Sequence, residues 1–149
     1  MTRPRTVSVK ALILQGPELL RLHDAAEILA KVPFVAVMAT HEEPALDRAH
    51  CVLPAAMWAE IEGTFTNYQR RVQRIKRALA PPGDARPHWE LAAALLKRLG
   101  NPLRASSVRE LFAEIAKTAP DYAGLDYRSL GVSGRALTQA ALPAPEARA

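Results

Sequence analysis

The sequence predicts an α/β fold: a small, mostly parallel sheet with flanking helices, followed by an extended segment after Gly63. Three features carry that expectation. Val9-Lys10-Ala11-Leu12-Ile13-Leu14 and Pro33-Phe34-Val35-Ala36-Val37-Met38-Ala39 are largely continuous apolar runs of strand length, the pattern of strands buried on both faces. An amphipathic stretch from Glu18 to Lys31 lies between them, so strand, helix and strand follow one another as in a βαβ unit. Cys51-Val52-Leu53-Pro54 is a third run, short enough to be another parallel strand.

Residues 1–8 carry little pattern and read as a loose N-terminus. Gly16-Pro17 stops the first strand. In the next stretch Leu19, Leu22, Ala26 and Leu29 recur at helical spacing, and Leu20 and Ile28 widen the stripe. Pro17 suits a first helical turn, Glu18 the positive end of the helix dipole and Lys31 its negative end. A helix of about three to four turns is expected here, with a right-handed crossover to the second strand. Thr40-His41-Glu42-Glu43 then falls at the carboxyl end of that strand, where open α/β sheets bind ligands. A short helix or turn over Glu43 to Arg48 leads to the third strand.

Gly63 to Pro82 has two readings. Val72, Ile75 and Leu79 share one face of a helix, ringed by Arg70, Arg71, Arg74, Lys76 and Arg77. The composition of Gly63-Thr64-Phe65-Thr66-Asn67 is that of an extended segment. Pro81-Pro82-Gly83 closes the region. A helix follows from Pro87 to Leu99, with Trp89, Ala92, Ala93, Leu96 and Leu99 as its stripe and Gly100 as its C-terminal stop. Ser107-Val108-Arg109-Glu110 is a capping box opening a helix through about Lys117, which Pro120 ends. Tyr122 and Tyr127 are expected to anchor the irregular stretch beyond. Residues 131–149 read as a flexible tail, Pro/Ala-rich from Ala140 onward.

At 149 residues the chain is long enough for one domain, expected over residues 9–130. Aromatic residues make up 5%, so the core must be largely aliphatic. The single cysteine, Cys51, excludes an intramolecular disulfide and any four-cysteine cluster within this sequence, and reads as a small buried hydrophobe. No apolar run approaches the roughly 20 residues of a membrane span. No Gly-rich dinucleotide fingerprint, P-loop or nucleophile elbow is present. His23, His41, His50 and His88 lack partners at metal-ligand spacing. His41 with Glu42 and Glu43 is the one His-carboxylate cluster, and Glu60 with Glu62 the one carboxylate pair before Gly63; both read as solvated loop residues ahead of any acid–base role. The net charge of +5 and the run Arg70–Arg77 beside Tyr68 permit contact with phosphates or an acidic partner.

Five words in order carry a resemblance. They are Val52-Leu53-Pro54-Ala55-Ala56-Met57-Trp58-Ala59-Glu60, Glu62-Gly63-Thr64-Phe65-Thr66-Asn67, Arg70-Arg71-Val72-Gln73-Arg74, Pro81-Pro82-Gly83-Asp84-Ala85-Arg86-Pro87-His88-Trp89-Glu90 and Leu99-Gly100. Together they resemble the molybdopterin oxidoreductase superfamily, in particular formate dehydrogenase catalytic subunits and the large iron–sulfur subunit of NADH-quinone oxidoreductase, the respiratory complex I. A weaker likeness extends over residues 9–130. The resemblance implies part of a dinucleotide-type α/β domain, with Arg70–Arg77 as strand or loop. Nucleic acid recedes as a partner.

The resemblance further implies a non-catalytic or accessory module of a redox complex, with no catalytic residue and no metal ligand of its own. Its partner would be the remainder of a large redox subunit, separately encoded and carrying the iron–sulfur clusters. No cofactor is expected on the chain alone; molybdopterin guanine dinucleotide would enter only in a complex. Thr64, Asn67 and Arg71 would then face that cofactor or the partner. Gly16-Pro17-Glu18-Leu19 departs from the family's Gly-Glu/Asp-Asn-Pro after the first strand, and Tyr68-Gln69 from its Thr-Glu. The implied location is cytoplasmic, peripheral to the inner membrane through a complex. The competing expectations are a basic protein- or nucleic-acid-binding module outside redox work, or a functionless gene fragment.

Overall fold

The structure, a computed structural model, describes residues 9–131 and 133–137. The expected loose N-terminus lies outside the described residues, as does the expected tail over 131–149 from Thr138 onward; within that tail Arg135–Ala136 form a short strand. Two compact units make up the chain. One comprises Met1–Glu60 with Leu79–Pro102, the other Ile61–Ala78 with Leu103–Ala149.

The first unit is built on three parallel strands in the order β1 (Leu12–Gln15), β2 (Val35–Ala39), β3 (Cys51–Pro54). All three coincide with the apolar runs. β2 is central, and each of its residues is buried, as a strand with neighbours on both edges and cover on both faces requires. Val35, Val37 and Ala39 point into a core completed by Leu20, Ala25 and Leu29, with Leu12, Leu14 and Leu46 packed against it. Full burial of Leu20 alone contributes about 2 kcal/mol.

The continuous helix expected over Glu18–Lys31 is broken in two. A 3-10 turn covers Glu18–Arg21, Leu22 is extended, and α1 covers Ala25–Leu29. The reason is geometric. Leu20 and Ala25 are both buried in the same core, yet they would lie nearly on opposite sides of one unbroken α-helix. The break lets both reach it and leaves Leu22 and Ile28 exposed. A 3-10 turn at Pro44–Arg48 leads into β3, as expected. His50 fastens the start of the β2–β3 ladder, its N–H donating to the Val35 carbonyl (2.8 Å) while its Nδ1 accepts the Val35 N–H (3.1 Å). After β3 the chain returns alongside it through an isolated bridge between Ala55 and Arg86. α2 (His88–Arg98) then follows with Pro87 at its N-cap. Gly100, at φ 82°, ends it with the paired bonds of a Schellman motif, Gly100 N–H to Lys97 O and Asn101 N–H to Leu96 O. No residue of α2 is fully buried.

The second unit holds an antiparallel sheet in the order β4 (Gly63–Thr66), β5 (Arg71–Ile75), β6 (Arg135–Ala136). β5 replaces the helix that periodicity alone offers for Arg70–Arg77, and agrees with the extended course the resemblance implies. Val72 is the one position of β5 that is fully buried, among Phe112, Tyr127 and Leu130. Ile75, at the end of the ladder opposite Gly63, is only partly buried. α3 (Val108–Thr118) supplies Phe112. Ser107 Oγ accepts the Glu110 N–H (3.3 Å), the first half of the expected capping box. The reciprocal half shifts by one residue: the Glu110 carboxylate accepts from the N–H and hydroxyl of Ser106, both at 2.8 Å. These bonds hold the Glu110 carboxyl below its ordinary pKa. Tyr122 and Tyr127 both pack on Phe112, with ring centroids 6.3 and 5.9 Å away, and are the anchors the sequence indicates.

Candidate functional site

The carboxyl ends of β2 and β3 open onto a cleft of about 360 Å³. Thr40, His41 and Glu42 reach it from the end of β2, Glu60 from the turn after β3, and Asp84 from the loop that returns beside β3. A wider depression of about 560 Å³ beside it is lined by Glu42, Glu43, Asp47 and Val52, among others. Neither lining contains a lysine or arginine among the described residues. The cleft is thus acidic on a chain whose net charge is +5.

His41 sits between two partners. Its Nδ1 is 3.0 Å from Thr40 Oγ1, and its Nε2 is 3.6 Å from Glu43 Oε2. Glu43 is in turn clamped by Arg21, whose Nε donates to Oε1 at 3.0 Å and whose Nη2 donates to Oε2. That pairing pulls the Glu43 carboxyl below its ordinary pKa and raises Arg21 above its own. The cluster foreseen as His41, Glu42 and Glu43 therefore divides: Glu43 is tied to Arg21, while Glu42 lines the cleft. Glu60 and Glu62 do not act as a pair. Glu60 accepts the Met57 N–H (2.9 Å), and Glu62 accepts the Tyr127 hydroxyl (3.0 Å). Glu60, foreseen only as a pair with Glu62, joins His41 at the cleft, and so does Asp84, which carries no sequence signal because a non-local bridge between Ala55 and Arg86 sets its loop beside β3.

Thr64, Asn67 and Arg71 all lie on the β4–β5 hairpin of the second unit. Asn67 and Arg71 meet: Asn67 Oδ1 accepts the Arg71 N–H (2.9 Å) and pins the loop. Arg71 Nη1 donates to the carbonyls of Ser133 and Gly134 at 3.1 and 3.2 Å. Thr64 stands opposite Arg74 in the ladder. Two other arginines of the basic run are engaged as well. Arg70 Nη2 donates to Asp121 Oδ2 at 2.7 Å, and the Arg74 guanidinium lies 4.4 Å from the centre of the Tyr127 ring. Burial and the bond to Glu62 raise the Tyr127 pKa. Among the described residues no group of three or more His, Cys, Asp or Glu could hold a metal ion, and no helix is long and apolar enough to cross a membrane. Cys51 is free and half-buried.

Residues 1–98 match the family model for molybdopterin oxidoreductase. The chain belongs to the molybdopterin oxidoreductase family. F420-dependent formate dehydrogenase 2 subunit alpha of Methanococcus maripaludis is 49% identical over 88 residues, which are 58% of this chain and 13% of that protein. F420-dependent formate dehydrogenase 1 subunit alpha of the same organism is 43% identical, and the F420-dependent formate dehydrogenase subunit alpha of Methanocaldococcus jannaschii 44% identical, over equal spans. The chain thus spans 13% of the length of each of these relatives. The formate dehydrogenase resemblance of the five words is borne out.

The family implies a pterin group, and its dinucleotide form carries two phosphates. The cleft does not fit a diphosphate. Glu42, Glu60 and Asp84 would repel it, and no cation in the lining would offset them. The turn after β1, where a phosphate would approach backbone N–H groups, is covered as well: a β-carbon added to Gly16 would strike the Glu18 carboxylate.

Proposed function

We propose that this chain is a non-catalytic component of a formate dehydrogenase-like redox complex, working with a separately encoded chain that carries the iron–sulfur clusters. The observation that carries this reading is the 49% identity over 88 residues to a formate dehydrogenase alpha subunit, in line with the resemblance carried by the five words. The acidic cleft, which would repel a diphosphate, supports assigning the redox chemistry to the partner. In this reading Thr64, Asn67 and Arg71 form the surface of the hairpin that meets the partner or its cofactor, and any molybdopterin guanine dinucleotide is held chiefly by partner residues. The complex works in the cytoplasm, peripheral to the inner membrane.

The test is co-expression of the tagged chain with the reading frames that neighbour its gene. Co-purification of a cysteine-rich chain, with iron, molybdenum and formate-dependent reduction of a viologen dye, is the expected result. Arg71→Ala should reduce capture of that chain without unfolding this one. Capture of no cluster-bearing chain, by a well-folded protein, overturns the proposal.

A further inference from the structure

β1 is the outer strand of the first sheet, and among the described residues nothing pairs with its far side. Its backbone groups divide by parity. The N–H groups of Leu12 and Gly16 donate inward, to the carbonyls of Phe34 and Met38. Alternation along the strand turns the N–H and C=O groups of Ala11, Ile13 and Gln15 outward, and these three residues are exposed. Natural edge strands are blunted by charge, proline or cover. The opposite edge of this sheet has such protection: β3 ends in Pro54 and is bridged beyond it by Arg86. Leu12-Ile13-Leu14-Gln15 has neither charge nor proline, and Ile13 is 47% exposed.

We propose that this edge pairs with β1 of a second copy of the chain, antiparallel about a two-fold axis at Ile13, so that two three-stranded sheets join into one. The register follows from parity. With Ile13 opposite Ile13, Ala11 meets Gln15, and every outward N–H and C=O finds a partner. An isologous contact of this kind closes at the dimer. Charge selects the same arrangement. Lys10 comes to lie opposite Gly16 of the other copy, and the Glu18 carboxylate rests against Gly16, where a side chain would otherwise be. Each copy thus offers its lysine to the other's glutamate. A parallel pairing would instead set Lys10 against Lys10. The pairing does not depend on the redox reading and needs no second protein.

Sedimentation velocity of the full chain across its soluble concentration range tests it. The wild type should run as a dimer at the upper end. Ile13→Pro removes an outward N–H while sparing the β1–β2 ladder, and should run as a monomer with an unchanged far-ultraviolet circular dichroism spectrum. Lys10→Glu should weaken self-association roughly tenfold, two charged pairs being lost per dimer, and Lys10→Glu with Glu18→Lys should restore it. If Ile13→Pro fails to fold, the charge exchange decides alone. A wild type that stays monomeric throughout overturns the proposal, as does a dimer that neither variant shifts.

Discussion

Arg70 takes φ 58° in the loop between β4 and β5, a backbone position where glycine is the usual choice. The loop Tyr68-Gln69-Arg70 is closed on both sides by Asn67 and Arg71, so the left-handed residue is fixed by the turn and not by its own side chain. The Arg70 side chain, for its part, forms an ion pair with Asp121. A double-mutant cycle of Arg70→Gly and Asp121→Ala, read by urea denaturation, should give a coupling of about 0.5–1 kcal/mol, with Asp121→Ala nearly neutral once Arg70 is gone. His88 yields a different kind of prediction. Burial lowers its pKa below the ordinary 6.5. The unfolded chain therefore binds a proton that the folded chain refuses, so stability is complete above pH 6.5 and falls as the pH drops below it. His88→Asn should flatten that slope in denaturation midpoints measured between pH 7.5 and about pH 5. Neither residue announces its role in the sequence. Position 70 lacks the glycine or asparagine that marks such turns, and the desolvation of His88 is set by how α2 begins.

Elements were legible to the degree that local pattern matched their final neighbours. β1, β2 and β3 could be read directly, because continuous apolar runs have few alternatives when both faces are covered. α2 and α3 could be read from their stops and caps. Removal of the Ser107 hydroxyl by Ser107→Ala should cost about 1 kcal/mol and reduce helicity in circular dichroism, even though the Glu110 half of the cap has moved to Ser106. Two elements resisted. The helix over Glu18–Lys31 is broken by the demand that Leu20 and Ala25 share one core, a tertiary fact with no local signal. β5 is masked by chance, since Val72, Ile75 and Leu79 mimic a helical period while the ladder to β4 sets the true one. The candidate site follows the same rule: His41 and Glu42 can be found from their place after a strand, whereas Asp84 joins them through the bridge at Arg86.

At the scale of the whole molecule there are two cores, an aliphatic one around Leu20, Val35 and Val37 and an aliphatic-aromatic one around Val72, Phe112 and Leu130, with no residue in common among the described residues. Leu20→Ala and Phe112→Ala should each destabilise by about 2–5 kcal/mol, and their effects in the double variant should add to within about 0.5 kcal/mol in chemical denaturation. The first unit is also discontinuous in sequence, interrupted by Ile61–Ala78. Closing an unstructured loop of that length would cost about 2.5 kcal/mol of chain entropy. The hairpin removes most of that cost, because pairing Gly63 with Ile75 already draws the two ends of the interruption together, and the Leu79 N–H then reaches the Ala59 carbonyl at 3.0 Å. The β4–β5 pairing is therefore a folding clamp for the return of Leu79–Pro102 to a unit to which the hairpin contributes no strand. Changes that slow formation of the hairpin should delay the packing of α2 in refolding kinetics by a comparable factor, while the parallel sheet, whose three strands all precede the interruption, forms without it.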